Sequence, residues 1–269
     1  MFIVLLNKDK ILRLTSDSSL TFDLHIFNKI DSTNNFLLNN FQSLQLDNNS
    51  IPVVAAEIQT KGRGRIGRSW HSELGSGLTF SLLWFFKKGT AELAGLSLTI
   101  GVAIIRVLRS FFINQVQLKW PNDLLHNNCK LCGILVELRG KANGPTHAVI
   151  GIGVNFNLSS SLKSIIQQDV TDLYQITGKH HDRNVFLSAL LLELCNILSD
   201  FQAHGFAYFR DEWISYHAYQ DKIVKLTLPN NTSVIGRVDG INADGSLCLL
   251  TSTGYHSFSV GDISLRLID

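Results

Sequence analysis

The segment Gln59–Trp70 reads QTKGRGRIGRSW and decides between three fold classes. Its glycine spacing matches the G-x-G-x-x-G of dinucleotide-binding folds and nearly matches a P-loop, with Arg68 at the lysine position. Both of those folds need a helix directly after the last glycine, because the helix N-terminus binds the phosphates. Here turn-forming residues follow, and then the strand-like run Leu78–Phe86, LTFSLLWFF. The segment is therefore predicted to be a mobile loop between two strands.

This loop carries three glycines and the three arginines Arg63, Arg65 and Arg68. Glycine allows positive φ angles and a close approach of backbone to a ligand. Clustered guanidinium groups repel one another unless an anion lies among them, and they bind phosphate and carboxylate well. The loop therefore predicts an anionic ligand that orders it. A solvated basic loop and an RGG-like RNA-binding patch are the alternatives, and the net charge of +2 argues against the second.

On both sides of the loop, apolar periodicity predicts strands interspersed with helices, followed by a small antiparallel β-barrel. Short alternating runs separated by turn residues after Gln220 indicate the barrel. We expect a lead-in over residues 1–24, a main domain over 25–220 and a C-terminal domain over 221–269. Strands are predicted at 21–30, 51–59, 78–86, 116–119, 130–138, 147–155, 224–228, 234–238, 247–250, 255–260 and 263–267, and helices at 34–41, 91–112, 185–208 and 213–218.

The composition indicates a cytoplasmic protein with a large core. The chain has 269 residues, of which 45% are hydrophobic and 17% charged. The apolar run Leu93–Ile105 is shorter than the roughly 18–20 residues that cross a bilayer, so no membrane association is expected. No signal peptide is evident, and four scattered cysteines do not form a disulfide framework. The pair Cys129 and Cys132 lacks a second pair for zinc and is read as two small residues beside a strand.

Polar residues at predicted strand ends mark a second group of candidates. Lys119–Asp123 reads KWPND, and its proline turn presents Asn122 and Asp123 at a cleft, although most such pairs only form turns. Beside a phosphate site, Asp123 is a candidate ligand of Mg²⁺. Lys130 opens an apolar strand and either extends to solvent or binds an anion.

Neutral polar residues form a third group. Ser32, Thr33, Asn34 and Gln59 offer hydrogen bonds suited to an uncharged polar ring, while Ser32 or Thr33 is also a candidate N-cap of the following helix. The glycines of Gly151–Asn155, GIGVN, would let a flat ring pack against the backbone.

Taken together, these segments resemble the biotin–protein ligases. The matching stretches occur in the family's order, and no single one would be specific. The tail 224–266 is similar to the family's small SH3-like C-terminal domain. The matching stretches are DSTN at 31–34, QTKGRGRIGRSW at 59–70, KWPND at 119–123, KLCGILVE at 130–137 and GIGVN at 151–155.

The resemblance implies an α+β fold, in which a mixed β-sheet has helices packed on one side and is followed by a small SH3-like C-terminal β-barrel. It also implies a two-step reaction. Biotin's carboxylate attacks the α-phosphate of ATP in the presence of Mg²⁺, which yields biotinyl-5′-AMP and pyrophosphate. A lysine of a biotin carboxyl carrier protein, a subunit of acetyl-CoA carboxylase or of another biotin-dependent carboxylase, then attacks the mixed anhydride. The resemblance assigns catalytic roles to Lys130, Arg65 and Arg68.

It also implies the binding residues. Biotin is bound by Ser32, Thr33, Asn34, Gln59, Arg63, Gly64, Arg65 and Lys130. ATP and the adenylate are bound by Arg63, Arg65, Arg68, Trp70, Asn122, Asp123, Asn155 and Arg266. The metal, if protein-held, is on Asp123.

Several points stay open or separate this chain from its relatives. Many bacterial members carry an N-terminal DNA-binding domain, and only about 24 residues stand there in this sequence, so no DNA binding is expected. A homodimer through sheet edges is compatible with the sequence but not indicated by it. A lipoate–protein ligase is the nearest rival, although that family lacks the GRGRxGR loop. A non-enzymatic biotin or nucleotide sensor is the rival of another class.

Overall fold

The computed structural model describes residues 4–44, 50–259 and 264–268. Two sheets dominate it, as the sequence predicts. Val260 and Ile263, at the ends of two predicted strands, and Gly261 and Asp262 lie outside the described residues. The strands are β1 (Thr21–Ile30), β2 (Ser50–Gln59), β3 (Gly77–Phe86), β4 (Gln117–Lys119), β5 (Asp123–His126), β6 (Cys129–Gly140), β7 (Thr146–Asn155), β8 (Ile223–Thr227), β9 (Ser233–Ile241), β10 (Leu247–Thr251), β11 (Gly254–Phe258) and β12 (Ser264–Leu267).

Seven α-helices accompany these strands in the described part of the chain. Two short 3₁₀ segments, Thr90–Leu93 and Phe206–Phe209, precede α3 and α7. The helices are α1 (Lys8–Leu14), α2 (Thr33–Leu44), α3 (Leu96–Ser110), α4 (Ser160–Ile165), α5 (Leu173–Thr177), α6 (Arg183–His204) and α7 (Arg210–Ser215).

The larger sheet has the order β1-β2-β3-β7-β6-β5-β4. Only β1 and β2 pair in parallel, and the other neighbours are antiparallel, so the sheet is mixed. Helices α1, α3 and α6 pack on one face and bury the main core. Helix α2 packs on part of the other face, through Leu37 against Val54, Leu83 and Val149. The rest of that face is left for the loop between β2 and β3.

The smaller sheet is antiparallel, in the order β11-β10-β9-β8-β12. Its inward side chains, such as Leu226 and Val238, belong to the same core cluster as the large sheet. Trp120 is fully buried between the sheets, and its indole N–H donates to the Gly245 carbonyl at 3.0 Å. The C-terminal sheet is therefore packed directly against the KWPND turn.

Several elements differ from the prediction. Strand β5 and the short helices α4 and α5 were not predicted, and two further differences involve the core. The helix expected over 91–112 is divided at Gly95, whose φ of 80° is left-handed and starts α3 afresh. The lead-in contains α1, whose Ile11 is fully buried. Its short length and mixed polarity concealed this helix, which is stabilised by packing on α6.

The length argument against a membrane span needs correction. The segments Thr90–Ser110 and Arg183–His204 are long and apolar enough to cross a membrane by length and composition alone. Their most apolar stretches are 72% and 61% buried inside the protein, where α3 packs on α6. They therefore have the character of core helices, whose hydrophobicity is explained by packing.

Candidate active site

The cavity lies on the face of the large sheet that α2 leaves uncovered. Its floor is a row of residues in register across five strands, from β3 to β4: Thr79, Gly153, Gly133, Asp123 and Lys119. All five line the cavity. Because neighbouring strands lie about 4.8 Å apart, this row is a long trough with different chemistry at its two ends.

Trp70, at the end of the glycine–arginine loop, covers the middle of the trough. A Cβ built on Gly153 would lie 2.5 Å from Trp70 Cε2, and one on Gly133 would lie 3.2 Å from Cζ3. The two glycines therefore provide the space in which the indole lies on the sheet. The flat ring that the sequence analysis expected above GIGVN is, in the structure, the protein's own tryptophan.

The loop itself is a small hairpin. Gly64 N–H donates to the Arg68 carbonyl at 2.7 Å, and Trp70 N–H donates to the Gly62 carbonyl at 2.9 Å. Its tip has positive φ at both Ile66 (56°) and Gly67 (68°), which is the signature of a type I′ turn. A hairpin tip explains why no helix follows the glycines.

At the β3 end, next to β2 and α2, the trough carries neutral hydrogen-bonding groups. Gln59 Oε1 accepts from the Thr33 N–H at 2.8 Å, and Thr33 Oγ1 lies 2.7 Å from Ser81 Oγ. Ser81 Oγ is also 2.5 Å from Asn34 Oδ1, which can only accept, so the single Ser81 proton is directed there. The Thr33 hydroxyl then donates to Ser81 Oγ or to Gln59 Oε1, which lies 3.2 Å away, and in both cases its oxygen is available to accept an N–H of a ligand.

Both polar atoms of the Asn34 amide already have hydrogen-bond partners below this end of the trough. Its Nδ2 donates to Glu137 Oε2 at 2.9 Å and lies 3.4 Å from the Leu135 carbonyl. A Cβ on Gly151 would lie 2.2 Å from Asn34 Oδ1, so the glycine admits the amide. Ser32 is 1% exposed and its hydroxyl faces the N–H of Asn35 at 3.4 Å, as a helix N-cap does.

At the β4 end, the trough is cationic. Lys130 Nζ lies 2.7 Å from Asp123 Oδ1, with side-chain exposures of 15% and 12%. A register shift between Leu124 and Leu125, opposite Lys130, brings the lysine onto the same face as Gly133. Burial lowers the pKa of Lys119, and the positive charges of Lys130, Arg68 and Arg266 lower it further against the opposing effect of Asp123. Several cations therefore lie close enough to affect one another.

The loop arginines take different positions. Arg65 approaches Asn122, with Nη1 3.4 Å from Oδ1, and Asn122 is itself held by the Ile134 carbonyl at 2.7 Å. Arg68 lines the cavity near Lys119. Arg63 instead pairs with Glu137 at 2.5 Å and donates to Asn35, so its guanidinium is not part of the cationic end where phosphates were expected.

Two other expected site residues lie outside the cavity lining. Asn155 is 5% exposed, and its Nδ2 donates to the carbonyls of Thr171 at 3.0 Å and Lys130 at 3.3 Å. Its amide group therefore supports the backbone that carries Lys130. Arg266 is exposed, while its neighbours Ser264 and Leu265 line the cavity.

The residues do not fit a protein-held Mg²⁺. The Asp123 carboxylate is already paired with Lys130, and no cluster of three His, Cys, Asp or Glu side chains occurs in the described ranges 4–44, 50–259 and 264–268. Cys129 and Cys132 are free, and burial raises the pKa of the Cys132 thiol, which makes it unreactive.

The structure also adds residues that the sequence analysis did not select. Lys119 is there only part of a motif, Ser81 is part of an apolar strand, and Gln168 has no predicted role. Lys119 and Gln168 line the cavity, and Ser81 bonds to Thr33 and Asn34. For Lys119, its place at the start of KWPND was a usable signal. For Ser81, strand alternation places it opposite the core residues Phe80 and Leu82, but only the pairing with Gly151 shows what it faces.

Comparisons with known proteins agree with this geometry. Residues 26–155 match the biotin/lipoate A/B protein ligase family, and residues 221–266 match the biotin protein ligase C terminal domain. The bifunctional ligase/repressor BirA of Escherichia coli (strain K12) is 37% identical over 237 residues, 88% of this chain and 72% of that protein. The biotin--[acetyl-CoA-carboxylase] ligase of Mycobacterium tuberculosis is 29% identical over 218 residues, 78% and 77% of the two chains.

Among solved structures, the biotin protein ligase from Aquifex aeolicus in complex with biotin and ATP is similar, with a TM-score of 0.77 and 30% identity. The match covers 91% of this chain and 99% of that one. The resemblance read from the sequence and the predicted fold class are confirmed.

Proposed function

The chain belongs to the biotin protein ligase family, and from that membership we propose that it joins biotin to a lysine of a biotin carboxyl carrier protein through biotinyl-5′-AMP. The observation that carries the proposal is the trough with neutral hydrogen-bonding groups at one end and clustered cations at the other. Such a site suits a ligand with an uncharged polar ring and an anionic tail that meets a polyphosphate.

In the first step, a carboxylate oxygen of biotin attacks the α-phosphorus of ATP, and the bond from that phosphorus to the β-phosphate oxygen breaks to release pyrophosphate. Two anions must approach each other, so the barrier is largely electrostatic and orientational. Lys130, Arg65 and Arg68 supply fixed positive charge near the reacting groups. The Thr33 hydroxyl accepts a hydrogen bond from the ureido ring of biotin, and Gln59 also binds this ring. The backbone of Arg63 and Gly64 lies beside it.

In the second step, the lysine amine of the acceptor attacks the acyl carbon, AMP leaves and the amine loses its proton. The anhydride must be protected from water until then, and the hairpin with Trp70 over the trough supplies that cover. We assign Asn122 to the orientation of Arg65, Asn155 to the support of Lys130, and Arg266 to the triphosphate side.

The deciding experiment incubates the protein with biotin, ATP, Mg²⁺ and a biotin carboxyl carrier domain, and measures pyrophosphate release and the mass of the acceptor. We expect biotin-dependent pyrophosphate and one added biotinyl group. Pyrophosphate release with lipoate alone moves the assignment to lipoate ligation, and no release with either acid indicates a sensor. Omission of Mg²⁺ tests whether the metal accompanies ATP.

Cytoplasmic location and the absence of DNA and membrane binding remain predictions, and the oligomeric state stays open. A duplex-DNA mobility shift at physiological salt should be blank. Sedimentation with and without biotin and ATP determines whether two copies associate.

A further inference from the structure

We propose that Glu137 is a positioning residue, which holds the glycine–arginine loop over the cavity by anchoring Arg63. The inference rests on the proposed function for its consequence in catalysis. The ion pair between Arg63 and Glu137 itself does not depend on a ligand. Arg63 Nη2 lies 2.5 Å from Glu137 Oε1, with side-chain exposures of 40% and 21%.

The Glu137 carboxylate depends on Arg63 as one of its hydrogen-bond donors. It lies on β6 opposite the buried Val149, on the face that carries the cavity. A half-buried carboxylate in such surroundings needs hydrogen-bond donors. Asn34 supplies one to Oε2 at 2.9 Å, and Arg63 supplies the other to Oε1. Loss of Arg63 would leave one carboxylate oxygen without its charged partner.

The anchor acts on the hairpin at its base. Arg63 is bridged to Ser69 across the hairpin, and the flanking Gly62 carbonyl accepts from the Trp70 N–H. A restraint on Arg63 therefore also restrains the strand that carries Trp70. The Arg63–Glu137 pair closes the hairpin onto the sheet as an ion pair, beside the hydrogen bonds from Arg63 to Asn35, from Arg65 to Asn122 and from the Lys61 N–H to the Asp31 carbonyl.

A continuous chain of hydrogen bonds links this anchor to the neutral end of the trough. Glu137 binds Asn34, Asn34 binds Ser81, and Ser81 binds Thr33, whose N–H donates to Gln59. Each member is fixed by its neighbour, so the residues assigned to the ring of biotin and the anchor of the loop share one rigid frame. Glu137 touches the frame and the loop, and acts on the substrate only through them.

The test is amide hydrogen exchange of residues 60–70 in the ligand-free protein. Glu137→Gln retains the shape and the bond to Asn34 but removes the charge. We expect exchange of the Gly64 and Trp70 amides to accelerate about 5- to 10-fold, as for a charge-assisted bond of moderate exposure. Glu193→Gln, which removes an ion pair with Arg106 of similar exposure away from the site, should leave these amides unchanged. Equal exchange in Glu137→Gln and wild type would overturn the proposal.

A double-mutant cycle with Arg63→Gln shows whether Glu137 and Arg63 restrain the loop through their interaction with each other. We expect the double variant to exchange no faster than either single one, and fully additive effects would contradict the pairing.

In turnover assays, Glu137→Gln should raise the KM for biotin about 5-fold and leave kcat of adenylation within about twofold, since Lys130 and Arg65 are untouched. An equal fall of kcat and kcat/KM would assign Glu137 to the chemistry instead. Failure of the wild type to release pyrophosphate concerns the proposed function alone, because the exchange result stands without it.

Discussion

Lys130 Nζ lies 2.7 Å from Asp123 Oδ1, and both side chains are mostly buried at the cationic end of the trough. The pair keeps an ammonium group inside the cavity because its charge is compensated by the carboxylate. An arriving anion can replace or share that compensation. The arrangement supplies a positive charge that is already in place before the substrates bind.

Lys130→Ala is expected to lower the rate of adenylation on the order of 10²-fold, since it removes a charge contact that strengthens as the two anions react. Biotin-dependent pyrophosphate release measures it. Lys225→Ala, on the exposed outer face of β8, is the matched control and should retain the wild-type rate. An unchanged rate in Lys130→Ala would remove this lysine from the site.

Arg65→Gly is expected to release the adenylate prematurely, because the guanidinium held beside Asn122 is lost from the loop. The released anhydride reacts with any lysine, so biotin should appear on bystander proteins. A blot for biotin after incubation with serum albumin measures this. Arg139→Gly at the exposed end of β6 is the control, and equal labelling by the Arg65 and Arg139 variants would contradict the role.

The hairpin tip offers a pair of opposite substitutions. Gly67→Ala places a side chain at φ 68° in open space, so its cost is purely conformational, about 1 kcal/mol. Ile66→Asn replaces a β-branched residue at φ 56° with one that tolerates that region. We expect amide exchange in residues 62–70 to accelerate in the first and slow in the second. The same direction of change in both would exclude a type I′ tip.

Binding of ATP is expected to draw a proton onto the protein at alkaline pH. Burial and neighbouring cations lower the pKa of Lys119, so part of this lysine is neutral where a free lysine is charged. A polyphosphate favours the charged form and raises the pKa, which causes proton uptake. Titration calorimetry in two buffers of different ionisation enthalpy measures the uptake. Lys119→Met should abolish it, whereas uptake that persists in this variant would assign it to another group.

His217 is expected to make the protein less stable in acid. Burial lowers its pKa to about 4, against about 6.5 in the unfolded chain. The unfolded state therefore binds the extra proton, and stability is lost as the pH falls from about 6.5 to about 4, on the order of 3 kcal/mol in total.

Urea unfolding at several pH values measures this loss. His217→Gln should show a flatter profile across that range. His256→Gln at an exposed position of β11 should follow the wild type. Parallel profiles of His217→Gln and wild type would contradict the assignment.

Local patterns were sufficient for much of the fold. Alternation and apolar runs gave β2, β3, β6 and β7 within a few residues. The signal is strong in β2, β3 and β7 because these strands are buried on both faces. The absence of a helix after the glycine–arginine loop correctly excluded two nucleotide-binding folds. The divided helix at Gly95 was missed because periodicity alone does not register one left-handed residue.

The sequence by itself determined the family, the mixed sheet with its small C-terminal barrel, and twelve of the 28 residues that line the trough. Only the tertiary structure decided how their charges are used: Lys130 with Asp123, and Arg63 with Glu137, 74 positions away. Turn-forming residues and the spacing of apolar residues are local properties, which can be read directly from the sequence. Which polar groups meet depends on register between strands distant in the chain, including the shift opposite Lys130, and that is settled only when the sheet assembles.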